Sequence, residues 1–486
     1  MQKIVLMLNR KQHISVFIAL FCVGILTGVA LTLIPNAYYF SGPGWFVLAV
    51  FLIIICAWKR TNWLLVFIVI AGVLVGIARA VPAQDQLQKY ESLIGQSVTI
   101  KGRVSEDVAS GKHGESQIKL ADVSINGDRL AGQVWISTDS KVEIKRSYQI
   151  TVAGKVSKGF GNYSASLFRA KVVYVTDPHT DKAREIRDNF ANNIRQVISE
   201  PQASLGIGYL VGQKSTLPES LQQSLQIVGL THIVVASGYN LTILVRFARR
   251  IFAPISKYLA TVAAGSMIGG FILITGFSPS MTRAGLVSGI SLATWYYGRH
   301  VHPLVLLPFV AALTVIINPS YMWGDLGWYL SFAAFAGVMI LAPLLQDYFF
   351  GPKKPGTVRQ IFGETISAQI VTMPIIAISF GTVALFALPA NLLILPFVPL
   401  AMILVFLCGV TYMLLPSIAV LFGQITELLL VYMTSVVEWF VAFPNASIQV
   451  SFGVTALVIC YMAIIILAIV LQSITKHDFR SDNIVE

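Results

Sequence analysis

The sequence predicts a polytopic α-helical membrane bundle with broken or re-entrant helices, carrying a small extracytoplasmic β-barrel of OB type. Three observations predict it. Of 486 residues, 55% are hydrophobic and only 12% charged, whereas a soluble chain carries about 25% charged residues. Several apolar runs reach about 20 residues, the length that crosses a bilayer. Between residues 83 and 177 the composition turns polar and alternates with the period of half-buried strands. The expected organisation is an N-terminal membrane module of about three spans (residues 1–82), the barrel (83–177), interfacial helices (178–228), a membrane domain (229–475) and a cytoplasmic tail (476–486).

Lys3, Arg10 and Lys11 precede the first apolar run, residues 14–34. That run exceeds a signal-peptide core and lacks a cleavage site, so it is expected to stay as an uncleaved span. Runs 45–58 and 63–80 follow, separated by Lys59 and Arg60. Basic residues at both places put them in the cytoplasm, and the third span then delivers the polar domain to the other side. The net charge of +12 suits cytoplasmic loops, anionic lipid and a polyanionic substrate alike. Cys22, Cys56, Cys408 and Cys460 all lie in apolar runs without C-x-x-C spacing. They read as core, with no disulfide framework or metal site. No cofactor is implied.

Five strands are expected in the polar domain, at 97–105, 116–125, 131–137, 147–156 and 166–176. In the first, Val98, Ile100, Gly102 and Val104 alternate with Thr99, Lys101 and Arg103. Asn126-Gly127 signals a tight hairpin, and residues 155–161 a loop ending the fourth strand. Five short strands in under 100 residues suggest a small barrel, the OB fold first. Such barrels bind single strands with aromatics and a basic groove. The candidates are Lys101, Arg103, Trp135, Tyr148, Lys158 and Tyr163, with Phe160, Phe168, Lys145 and Arg146 nearby. The plain alternative is that alternate aromatics fill the barrel interior. With 13 basic and 10 acidic residues in 83–177, charge alone does not decide.

Residues 181–198 have amphipathic helical spacing, with Arg184, Arg187 and Arg195 expected on the surface at a membrane interface. Residues 204–212 are apolar and too short to span, as for a re-entrant piece. Residues 218–227 form another amphipathic helix. The stretch GLTHIVVASGYNLTILVRF (229–247) then sets His232, Ser237, Gly238, Tyr239 and Asn240 in an otherwise apolar run. A lipid-facing helix has no use for them, and Ser-Gly is a natural break. Further spans are expected at 259–276, 283–297, 304–317, 326–345, 361–380, 391–414, 418–443 and 454–474.

Four polar motifs interrupt these spans. They are H-x-x-x-A-S-G from His232, S-P-S-x-x-R-A (278–284), N-P followed by D-x-G-x-x-L-S-F (318–332), and L-P-A-N-L-L-x-L-P (388–396). In this order they resemble the competence domain of the ComEC family, inner-membrane channels for DNA uptake in natural transformation. The resemblance covers most of residues 14–440. Family members often read V-S-G-L-H where this chain has Ala236-Ser-Gly-Tyr-Asn240, and G-F-Q-L-S-F where it has Gly327-Trp-Tyr-Leu-Ser-Phe332. The H-x-H-x-D-H signature of the family's metallo-β-lactamase-like domain does not occur in the sequence. His300 and His302 read as a polar loop, with no carboxylate near to complete a metal site.

The resemblance implies single-stranded DNA as cargo, moved into the cytoplasm across the cell membrane. It also implies a DNA receptor, a separate nuclease and a cytoplasmic helicase or ATPase, since no P-loop is present and a polyanion moved against a negative-inside potential needs an energy source. Passage through one protomer or between two in a homo-oligomer stays open. The path or motif candidates are His232, Ser237, Gly238, Tyr239, Asn240, Arg246, Ser280, Arg283, Asp325, Ser331, Glu364, Gln369 and Asn391. Arg283 at a helix start and Arg246 near a helix end are the first phosphate donors to consider. Alternatively, Arg283 pairs with Asp325 to lock two broken helices. Glu364 and Gln369 suit bundle hydrogen bonding or a proton relay. A secondary transporter for a small polar or anionic solute is the competing reading and predicts a closed midplane pocket. An intramembrane hydrolase would need His232 and Ser237 in contact, although five residues place them about 140° apart on a helix. No enzymatic activity is expected.

Overall fold

The computed structural model describes residues 13–34, 37–111, 114–125, 127–140, 142–178, 181–213, 217–234, 238–276, 278–299, 302–351, 356–477 and 479. Contacts divide the chain into two compact units, Met1–Thr180 with Val301–Trp328, and Asp181–His300 with Tyr329–Glu486. Among the described residues, eight helices are long and apolar enough to cross a membrane. The chain is a multi-pass membrane protein joined to a β-sheet domain.

In the first unit, helices Ile14–Leu31, Pro43–Lys59 and Leu65–Glu91 match the three expected apolar runs. The first and third pack along Gly24 and Gly28 facing Gly72 and Gly76. A Cβ on Gly28 would collide with the Val73 carbonyl, and one on Gly72 with the Phe21 carbonyl. Lipid gives no hydrophobic push between helices, so such close backbone approach supplies the attraction. Helix Pro303–Ile317 packs against the first helix, with Ala312 buried beside Cys22 and Ile25. Its last carbonyls, on Ile316 and Ile317, accept from the Arg79 guanidinium at 2.7 and 2.9 Å. That cation satisfies orphan carbonyls at a helix C-terminus, where the dipole favours it.

The third helix does not stop at residue 80. It runs through Pro82 to Glu91 and carries Tyr90 into the core of the sheet. Polar residues over its last three turns hide this continuation from a hydropathy reading.

The sheet has β1 (Ser97–Val104), β2 (Ala109–Ser110), β3 (Ser116–Ile125), β4 (Asp128–Leu130), β5 (Gln133–Thr138), β6 (Gln149–Lys158), β7 (Tyr163–Leu167) and β8 (Lys171–Thr176). The order is β1-β3-β5-β7-β6-β8, and β6 also pairs with β1, so the ladder returns to its start. All these pairings are antiparallel except β5 with β7. β1 alternates exposed and buried along its whole length, as its sequence predicts. Two expectations change. The run 166–176 is two strands, interrupted where Arg169 takes a positive φ of 50°, and both lie along β6. β6 itself continues to Lys158, which shortens the expected loop to the turn before Tyr163. Of the hairpin signal, Gly127 has φ 94° and Asn126 lies outside the described residues.

In the second unit, Asp181 caps helix Lys182–Arg195 by accepting from the Arg184 amide. Arg184 and Arg187 are buried, at 3% and 2% exposure, and do not lie on the surface as their spacing suggested. The helix is covered by Gln202–Val211 and Val398–Leu414, and the Arg187 guanidinium is paired with Asp188 at 2.9 Å. Helix Gln202–Val211 is buried from Ala203 onward at the centre of the largest apolar cluster.

The stretch 229–247 is divided into helices Thr231–Val234 and Gly238–Phe252. Helices Lys257–Thr275 and Pro279–Tyr296 follow, and these last three pack on one another. Helix Leu326–Ala336 leads into a π-helical turn at Gly337–Leu341 and then Ala342–Phe350. The turn falls where Gly337 meets helix Thr357–Phe380; a Cβ there would sit 2.6 Å from the Ser367 carbonyl oxygen. Helices Ala387–Ile394 and Val398–Leu414 are joined by a 3₁₀ turn, and Pro416–Val441 and Val454–Thr475 complete the unit.

Candidate functional site

On the outside of the sheet, aromatic residues from two strands and two turns come together in one row. Trp135 on β5 lies 5.3 Å from Phe168 and 5.4 Å from Phe160, and Phe160 lies 5.3 Å from Tyr163. Phe168 at one end of the row and Phe160 within it are 56% and 47% exposed, far more than core aromatics tolerate. Lys119, opposite Trp135 across β3 and β5, holds its ammonium 6.0 Å from the Tyr163 ring centre. It also donates to Glu106 at 2.7 Å. Burial pulls the Lys119 pKa down, but Glu106 and Tyr163 together raise it above its ordinary value. Burial raises the Tyr163 phenol, with Lys119 opposing. At neutral pH the row therefore carries a fixed cation and a neutral phenol.

The row ends at a polar contact. The Asn162 amide donates to Asp325 Oδ2 at 2.9 Å, while Asp325 Oδ1 accepts from the Trp328 amide at 2.8 Å and so caps the helix that follows. Gly161 and Gly324 make the approach possible, since a Cβ on Gly324 would lie 2.5 Å from the Gly161 carbonyl oxygen. The Trp328 indole donates to Thr314 at 3.0 Å. The D-x-G motif is thus built onto the sheet domain within the first unit.

The other sheet candidates divide. Lys158 is exposed at the end of β6, next to this row. Lys101 and Arg103 are exposed on β1, and Arg103 is engaged by Asp122 at 2.8 Å. Tyr148 packs against the sheet core. Lys119 and Asn162 were missed. Lys119 was legible as an outward position of β3, but the cross-strand register that sets it beside Trp135 was not.

In the second unit, three motifs meet. Gly238 faces Ala284, and a Cβ there would touch the Ala284 methyl at 3.3 Å. The Arg283 guanidinium is 3% exposed, lies 5.1 Å over the Phe332 ring and donates to Ser280 at 2.9 Å. Asn240, also buried, donates to the Tyr209 carbonyl at 3.0 Å. Tyr239 is within electrostatic reach of Glu364 and Arg246, and Glu364 accepts from Gln360 at 2.8 Å. Ser331 and Gln369 are half-buried on their helices. The Asn391 Oδ1 and Ser367 Oγ atoms are buried without a hydrogen-bond partner among the described residues.

Arg283 belongs to the second unit and Asp325 to the first. His232 is exposed, while Ser237 lies outside the described residues, as does His300 of the H-x-H pair. His302 caps the next helix by accepting from the Leu304 amide. Among the described residues no group of His, Cys, Asp or Glu is arranged to hold a metal ion.

Several apolar helices long enough to cross a membrane, together with a β-sheet domain that carries an outward aromatic row, define a multi-pass membrane protein with a β-sheet domain. Residues 209–474 match the family model described as "Competence protein", and the chain belongs to that competence protein family, of the ComEC type. It is 22% identical over 362 residues to ComE operon protein 3 of Bacillus subtilis (strain 168), a match covering 66% of this chain and 45% of that relative. The matched region thus spans less than half the relative's length. No solved structure matches the chain.

Proposed function

We propose that this chain is a cell-membrane channel that carries single-stranded DNA into the cytoplasm during natural transformation. The observation that carries the reading is the aromatic row Phe168, Trp135, Phe160 and Tyr163, which leads to the Asn162–Asp325 contact. Bases stack on such rings whatever their sequence, and the exposed Lys158 supplies a cation for the backbone. The returning ladder with its parallel β5–β7 pair supports an OB-type barrel, read as extracytoplasmic from the basic residues flanking the first spans. Family membership supports DNA uptake as the role.

In the second unit, Arg283, Ser280, Tyr239, Asn240 and Glu364 offer polar groups inside the bundle. Weak, separated donors suit a moving polyanion, because one tight site would hold it. The proposal assigns this chain no catalytic step. A receptor delivers DNA, a separate nuclease removes one strand, and a cytoplasmic helicase or ATPase pulls the other.

The test is uptake of labelled DNA in cells lacking this gene, with and without the wild-type copy. Loss on deletion with recovery on complementation is expected. Undiminished uptake in the deletion strain overturns the proposal and favours the transporter of a small solute.

A further inference from the structure

Helices Gly238–Phe252, Lys257–Thr275 and Pro279–Tyr296 run up, down and up. The end of the first, the start of the second and the end of the third therefore lie at one end, away from Gly238, Ser280 and Arg283. That end is basic and aromatic. The Arg249 guanidinium lies 4.3 Å over the Trp295 ring, and the Lys257 ammonium lies 5.4 Å from Trp295 and 5.9 Å from Tyr296. Arg246, Arg249, Arg250 and Ala253 line an open recess of about 280 Å³. No carboxylate occurs in the sequence between Glu219 and Asp325, so the cations of these three helices outnumber their acids.

The neighbouring surface is apolar. Ile255 is 71% exposed and Tyr258 67%, with Ile251 and Val262 exposed beside them. A dissolved polyanion gains nothing from bare isoleucines next to its phosphates. A phospholipid uses both surfaces, since its phosphodiester meets cations at the membrane boundary and its acyl chains meet apolar side chains. We propose that this end of the three-helix hairpin is a binding site for the headgroup of an anionic phospholipid. Arg249, Arg250 and Lys257 hold the phosphate, and Ile251, Ile255 and Tyr258 lie along the chains. The site rests on the membrane-spanning reading and not on DNA uptake.

The experiment uses full-length protein in a neutral detergent, titrated with short-chain phosphatidylglycerol or short-chain phosphatidylcholine, with bound lipid counted by native mass spectrometry. Inorganic phosphate and a thymidine oligonucleotide are the competitors. The wild type is expected to retain phosphatidylglycerol at least tenfold better than phosphatidylcholine, with neither competitor displacing it. Each cation near an anionic headgroup contributes about fivefold in affinity, so R249Q/R250Q is expected to lose roughly thirtyfold. Equal retention of the two lipids by the wild type overturns the proposal, whatever the fate of the variant. Displacement by phosphate assigns the cluster to a free anion, and displacement by the oligonucleotide assigns it to nucleic acid; either result overturns the lipid assignment. A folded variant that keeps wild-type retention also overturns it.

Discussion

The Asn162 side-chain amide donates to Asp325 Oδ2 at 2.9 Å across 163 residues of sequence. Asp325 is simultaneously the cap of the helix bearing the L-S-F part of its motif, so one carboxylate both holds the sheet domain and starts a membrane helix. Asp325→Ala removes both bonds and Asn162→Ala one. A hydrogen bond to a charged group contributes about 1.5–3 kcal/mol and a cap about 1 kcal/mol. Asp325→Ala is therefore expected to destabilise the first unit more than Asn162→Ala, and the double variant to match Asp325→Ala. Hydrogen exchange in residues 159–163 reads the order; additive effects would contradict the direct bond.

Gly324→Ala is a steric test of the same junction. Its Cβ would press on the Gly161 carbonyl, backbone against backbone, with no flexible side chain to yield. Faster exchange in both the 159–163 turn and helix Ser320–Gly324 is expected, and wild-type protection would show that the two backbones separate freely.

The paired glycines of the first and third helices give a prediction independent of function. Gly28→Leu or Gly72→Leu forces those helices apart, and small-residue seams are the main attraction between helices in lipid. Reduced yield and a lower melting temperature in detergent are expected, whereas Gly44→Leu, where a Cβ meets nothing within 4 Å, is expected to behave as wild type.

Stacking is tested by Trp135→Ala and Phe168→Ala. Each stacked base is worth about 1–3 kcal/mol, so each variant is expected to weaken oligonucleotide binding to the full-length protein by roughly tenfold with unchanged melting temperature. Tyr148→Ala is expected to do the opposite, lowering the melting temperature with little change in affinity per folded molecule, because Tyr148 packs on the sheet core. Fluorescence anisotropy and thermal melting separate the two.

For Arg283, the account expects Arg283→Ala to abolish DNA uptake at normal protein level and Arg283→Lys to restore only part of it. The guanidinium lies 5.1 Å from the centre of the Phe332 ring while donating to Ser280, and an ammonium cannot make both contacts in the same way. Full activity of Arg283→Ala would take this residue off the path.

Much of this was legible in the sequence, for identifiable reasons. Apolar run length located most of the long helices, and period-two alternation located β1 and β3 almost to the residue. The four motifs pointed to the family. What failed were features set by tertiary contact. The helix extension to Tyr90 is invisible because its buried face belongs to the sheet and not to lipid. Arg184 and Arg187 read as surface residues because a covered arginine looks the same in sequence as a solvated one. The aromatic row combines residues on β5, the β6–β7 turn, the start of β7 and the β7–β8 turn, so only the parallel β5–β7 register assembles it. The meeting of Arg283 with Phe332 joins motifs about 50 residues apart, and no spacing rule supplies that.

The central claim is that a single strand contacts both the aromatic row and the polar seam during uptake. The most direct measurement places a photo-crosslinking amino acid at Phe160, at Tyr239 or at the control position Val142, and illuminates cells taking up labelled DNA. The account predicts label attached at 160 and 239 during uptake, none at 142, and none at either site when uptake is blocked. Label at neither 160 nor 239 while DNA still enters the cell would contradict it.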